Sequence, residues 1–93
     1  MTEEEVATAA EKALTASAHG RLTIKELIQE IPAYLNLSAE DLAPSMTRSG
    51  EALWEQQVRN ITSHKASPGN AIHEGKLVAI PGGLALPGRE NVA

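Results

Sequence analysis

Hydrophobic positions recur along this chain at two spacings, and the change between them divides it into a helical part and a short hairpin. Val6, Ala9, Ala10, Ala13 and Leu14 return at three- and four-residue intervals, the spacing that puts side chains on one face of an α-helix. Thr2 with Glu5 reads as a capping box opening this helix, and His19-Gly20 stops it. Thr23 with Glu26 repeats the signature before Ile24, Leu27, Ile28 and Ile31, and Pro32 ends or kinks that second helix. Tyr34, Leu35 and Leu37 then form a last turn or a loop packed on the core. Ser38 with Asp41 offers a short third start, which Pro44 closes.

The longest helical pattern runs from about Gly50 to Ala66, with Ser49 as its cap and the breakers Ser67-Pro68-Gly69-Asn70 at its end. At about 100° per residue, Trp54, Val58 and Ile61 share one narrow arc with Lys65 close beside it. Gln56, Arg59, Asn60, Ser63 and Ser67 fall on the opposite side. The apolar arc is expected in one core with Leu22, Ile24, Leu27, Ile28 and Ile72. Beyond the breakers, Lys76 to Ile80 has strand character, Pro81-Gly82-Gly83 is a turn, and Leu84 to Leu86 is a returning strand. Residues 88–93 carry no pattern and are expected to fray. The expected fold is mainly α with a small β-hairpin, one domain over residues 1–87. Helix, helix, short helix, long helix, hairpin is the order of a winged helix-turn-helix domain, and it also fits other α+β domains.

Composition supports one core and little else. Ninety-three residues are too few for two independent cores, and with Trp54 and Tyr34 the only aromatics, that core is built from Leu, Ile, Val and Ala. The absence of Cys removes disulfides, thiolate zinc sites and a Cys nucleophile, which suits a cytoplasmic protein. No run of about 18 apolar residues occurs, and the acidic opening TEEE is the reverse of a secretory signal. A soluble protein with no membrane partner is expected.

Charge is distributed unevenly. Residues 1–45 carry eight acidic side chains against three basic, giving −5, while residues 46–93 carry four acidic against five basic, giving +1. The net charge of −4 argues against nonspecific coating of nucleic acid, which is driven by phosphate neutralisation. An anionic partner should therefore meet the second half, where Arg48, Arg59, Lys65 and Lys76 lie. A solvated helix surface usually displays Glu and Lys in supporting pairs. The polar side of the long helix instead offers Gln, Arg, Asn, Ser and His, side chains that reach base edges and phosphates. Its bland alternative is an Arg59–Glu55 surface pair four residues apart.

Other chemistry finds no support in the spacing. His19, His64 and His73 share no metal-ligand spacing. Glu3-Glu4-Glu5 and Glu40-Asp41 suit helix starts better than a carboxylate pair. No serine sits in a nucleophile elbow, and Pro81-Gly82-Gly83 opens no helix that could cradle phosphate. Neither an enzyme nor a metal or other cofactor is expected.

The segments LTIKELIQEIPAYLNLSAEDLAP, RSGEALWEQQVRNITSHK and EGKLVAIPGGLALP, over about residues 21–87, together resemble the winged-helix domain at the N-terminus of Mrr-type restriction endonucleases and of related restriction-system proteins. The resemblance lies in an acidic "LS-ED" segment after a helix, a long helix with a Trp followed by an Arg-Asn face, and "G-K-L" leading into a glycine-turned wing. It implies binding of double-stranded DNA in a restriction, phage-related or regulatory setting. Arg59, Asn60, Ser63, His64 and Lys65 would lie on or beside the recognition helix and Lys76 near the wing. Gln56 and Ser67 on the polar face of the long helix, and Arg48 in the basic second half, complete the expected DNA-binding set. The wing departs from such domains in lacking basic or aromatic residues. The rival expectation is a winged-helix protein-interaction module, its acidic first half recruiting a nuclease or another protein.

Overall fold

Both capping boxes form in the computed structural model, which describes residues 1–46 and 50–90. Helix α1 (Glu3–Ala16) starts where Thr2 Oγ1 accepts the Glu5 N–H at 3.1 Å and Glu5 Oε1 accepts the Thr2 N–H at 2.8 Å. Two of the four donors that a helix start leaves open are thus satisfied. The apolar stripe of α1 is buried from Val6 to Leu14. Ser17 ends the helix, its hydroxyl donating to Leu14 O and accepting from Gly20 N–H. Thr23 and Glu26 repeat the exchange at 3.1 and 2.9 Å to open α2 (Ile24–Glu30), and Pro32 lies in the 3-10 turn Ile31–Ala33 that follows.

Residues 21–23 were not expected to be extended, yet Arg21–Thr23 forms β1. Its partner is β3 (Gly83–Ala85), which also pairs with β2 (Val78–Ile80), so β3 is central in an antiparallel sheet ordered β1-β3-β2. The register sets Leu22 opposite Leu84 and Thr23 opposite Gly83. The hairpin thus occurs as expected, with the turn at Pro81-Gly82 and Gly83 drawn into the strand. Gly83 is required there by a close approach: a Cβ would collide with the carbonyl oxygen of Leu22. The chain stays bonded past β3, since Leu86 N–H donates to Gly20 O and Arg89 N–H to Leu86 O, both at 2.9 Å. Arg89, within the tail 88–93 expected to fray, is thus hydrogen-bonded to the chain before it, and residues 91–93 lie outside the described ones.

The short third helix does not form. Ser38 and Asp41 make both hydrogen bonds of a capping box, at 2.9 and 3.2 Å, but residues 39–43 remain turns. Their carbonyls serve the next helix instead. Ala43 O accepts the Leu53 N–H at 2.8 Å and Asp41 O the Trp54 N–H at 3.1 Å, so the third helix, α3 (Leu53–Ser63), starts without a side-chain acceptor at its cap, Ala52. The expected cap, Ser49, lies outside the described residues. α3 is shorter at both ends than the expected 50–66, because its first turn is organised by the preceding loop and its last passes into turns from His64.

The core sits where α1, α2 and α3 meet one face of the sheet. Val6, Leu14, Leu27, Ile31, Val58, Ile61, Leu77 and Leu84 are fully buried, and Trp54 is 4% exposed. Leu22, Ile24, Ile28 and Ile72, expected in the same core, pack partly buried against its edge. Trp54→Ala is expected to cost about 3–5 kcal/mol, and iodide should quench Trp54 fluorescence in the native protein only weakly. Strong quenching would contradict this placement. Gly83→Ala should cost about 1–3 kcal/mol by forcing β1 away from β3, read from urea denaturation; an unchanged midpoint would show that the strands yield freely.

Candidate nucleic-acid interface

With Trp54, Val58 and Ile61 turned inward, the rest of α3 divides between two shallow clefts. On one flank Gln56, Gln57 and Asn60 line a cleft of about 330 Å3 with Met1, Glu40, Asp41 and Leu53. There Asn60 Nδ2 donates to Gln57 Oε1 at 3.3 Å, and Ser45 Oγ to Gln56 Oε1 at 2.7 Å. Asp41 receives the Ser38 N–H and the Met1 amino group. The backbone donor of Ser38 chiefly, with the amino group adding, holds its carboxyl below the usual range against the opposing effect of burial.

On the other flank Arg59, Thr62 and Ser63 line a cleft of about 230 Å3 with Ile24, Ile80 and the hairpin turn at Gly82-Gly83. Arg59 Nε donates to Glu51 Oε2 at 2.7 Å. The expected pairing with Glu55 does not occur, because Glu55 Oε2 accepts the Ala52 N–H at 3.0 Å as part of the helix start. The pair is semi-exposed, with Arg59 38% and Glu51 15% accessible. The terminal guanidinium nitrogens of Arg59 bond to no described residue, whereas Ser63 Oγ lies 3.4 Å from Arg59 O.

Of the nine residues expected at an interface, four thus lie on the outward side of α3, Gln56 and Asn60 towards one cleft and Arg59 and Ser63 towards the other. Three others lie elsewhere. His64, Ser67 and Lys76 line a third cleft, of about 490 Å3, whose opposite wall is Glu3, Glu4 and Glu11 of α1. His64 Nδ1 is 2.6 Å from Glu3 Oε1, and Ser67 follows the end of α3 rather than extending its polar face. Lys76 precedes β2 and so stands at the base of the hairpin, away from the Pro81-Gly82 turn. Lys65 is exposed just past the helix, and Arg48 lies outside the described residues.

Two residues of structural weight here were not singled out from the sequence. Asn70, a breaker in the sequence pattern, is 5% exposed. Its Nδ2 donates to Ile61 O at 2.9 Å and Glu3 Oε2 at 3.2 Å, and its Oδ1 accepts from Ile72 and His73 N–H. The available signal was an Asn two residues before a core Ile in a turn, where Asx turns form. Glu51 was the other: eight residues from Arg59, it obeys no helical pairing rule.

Among the described residues no group of three or more His, Cys, Asp or Glu is placed to hold a metal ion, and no helix is long and apolar enough to cross a membrane. No protein-family model, curated protein or solved structure matches the chain. Asn70→Ala should cost about 1–3 kcal/mol, because it strips partners from buried backbone groups, and should speed hydrogen exchange in the last turn of α3. Unchanged exchange there would show that Asn70 does not hold the helix end.

Proposed function

We propose that the chain is a small winged-helix module that reads duplex DNA through α3. The element order α1-β1-α2-α3-β2-β3 with the sheet ordered β1-β3-β2 fits that reading: α2 and α3 would be the helix pair, α3 the helix for the major groove, and the hairpin the wing. One observation carries it. Gln56, Arg59, Asn60 and Ser63 occupy the side of α3 turned from the core, and the outer donors of Arg59, beside the hairpin turn, bond to no described residue. A side chain so placed can pair with a guanine, and Asn60 with an adenine.

Lys65 fits a phosphate contact, being exposed at the end of the helix. Lys76 fits one less well, since Glu3, Glu4 and Glu11 share its cleft. The uncharged Pro81-Gly82 turn is expected to matter less for affinity than α3. The resemblance to Mrr-type N-terminal domains suggests a restriction, phage-related or regulatory setting in the cytoplasm, with no catalysis by this chain.

A second reading, a winged-helix module that binds a nuclease or other protein, is favoured by Leu42 and Met46, which are 55% and 95% exposed. Salt separates the two. Duplex binding should weaken with a log-log slope of about −0.9 per phosphate neutralised, whereas a protein contact through Leu42 and Met46 should hardly respond. Arg59→Ala should lose about 0.2–1 kcal/mol of stability, as for an exposed ion pair, and about 5- to 150-fold in affinity for a preferred duplex. Unchanged affinity would remove the central support for DNA reading.

A further inference from the structure

We infer that Glu51 is a positioning residue, aiming Arg59 at a guanine and damping the attraction of α3 for phosphate, so that binding depends on base contacts. This rests on the duplex-reading role proposed above. Glu51 lies outside the helix, two residues before Leu53, and its backbone is tied down by the bond from Ser45 N–H to Glu51 O at 2.7 Å. The neighbouring Ala52 bridges to Pro44. Its carboxylate, 15% exposed, is thereby held beside the guanidinium before any ligand arrives.

The geometry of that contact decides what Arg59 can do. A guanidinium is a planar fork whose Nε edge and outer edge face different directions. Glu51 takes Nε at 2.7 Å, and no described residue takes the outer edge. The outer edge carries the parallel donors that match O6 and N7 of guanine in the major groove. A long flexible side chain is thus restrained in advance, and less conformational freedom is lost on contact.

The same carboxylate has an opposite effect at longer range. Arg59 is the only Lys or Arg in α3, and an anion in direct contact cancels much of its field at the distance of an approaching phosphate. Nonspecific attraction, which grows with neutralised phosphates, is correspondingly weak. Specific contact survives because it depends on hydrogen bonds from the outer edge.

The test selects binding sites from a randomised duplex library with wild type, Arg59→Ala, Glu51→Ala and Glu51→Gln, each checked by thermal melting. Wild type should enrich a guanine at one position, by about 5- to 150-fold over the other bases, and Arg59→Ala should not. Glu51→Ala should lose most of that preference while binding unselected duplex more tightly at low salt. Glu51→Gln keeps an acceptor for Nε without the charge, and should retain the guanine preference together with the tighter unselected binding. In the free protein, the Nε–H resonance of Arg59 should exchange slowly in wild type and Glu51→Gln and quickly in Glu51→Ala.

A guanine preference that needs Arg59 but survives Glu51→Ala would overturn the role of Glu51 and leave DNA reading intact. Failure of Glu51→Gln to retain the preference would also overturn it, and this variant decides the matter should Glu51→Ala not fold. A wild type that binds no duplex would overturn both readings.

Discussion

The seating of Trp54, Val58 and Ile61 in the core is the contact on which the rest of the molecule depends. These three side chains lock the rotation of α3 about its axis, and burying each contributes about 1.5–3 kcal/mol. Trp54 is the only aromatic side chain buried in that core, the rest of which is Val, Leu, Ile and Ala. Once the rotation is set, the outward direction of Gln56, Arg59 and Ser63 follows from helical geometry alone. Both ends of the helix are then held by groups from outside it: the carbonyls of Asp41 and Ala43 at its start and Asn70 at its last turn.

What was legible in the sequence was what is decided locally. The first two helices announce themselves through Thr2-Glu5 and Thr23-Glu26, because a capping box involves residues three apart and needs no distant partner. The apolar arc of α3 was legible for a similar reason, and so was the grouping of Gln56, Arg59, Asn60 and Ser63. β1 was not: polar-apolar-polar over three residues is too short to register as a strand pattern, and Arg21–Thr23 is extended where Gly83–Ala85 lies alongside it. Ser38-Asp41 shows the reverse failure. Its capping bonds form, yet the helix does not propagate, since the carbonyls that would continue it are used by Leu53 and Trp54.

The partition of the polar side chains was illegible in the same way. Helical spacing pairs Arg59 with Glu55, but the tertiary fold brings up Glu51 and commits Glu55 to the helix start. His64 belongs to the second, less acidic half of the chain, and it ends against Glu3, which is 61 residues away in sequence. Charge summed over sequence halves could not anticipate that the acidic start of α1 folds beside His64 and Lys76. The outward side of α3 carries Gln56, Arg59, Asn60 and Ser63, with Glu51 set against Arg59, so the one cation of the helix is paired with an anion from the preceding loop.

An NMR titration of the 15N-labelled protein with a mixed-sequence duplex tests the central claim most directly, because it locates a binding face even at weak affinity. Duplex reading through α3 predicts that the largest shifts fall on Gln56, Arg59, Asn60 and Ser63, with smaller ones at Gly82. Shifts centred on Leu42 and Met46 or on the cleft between His64 and Glu3, or no shifts at all, would contradict it.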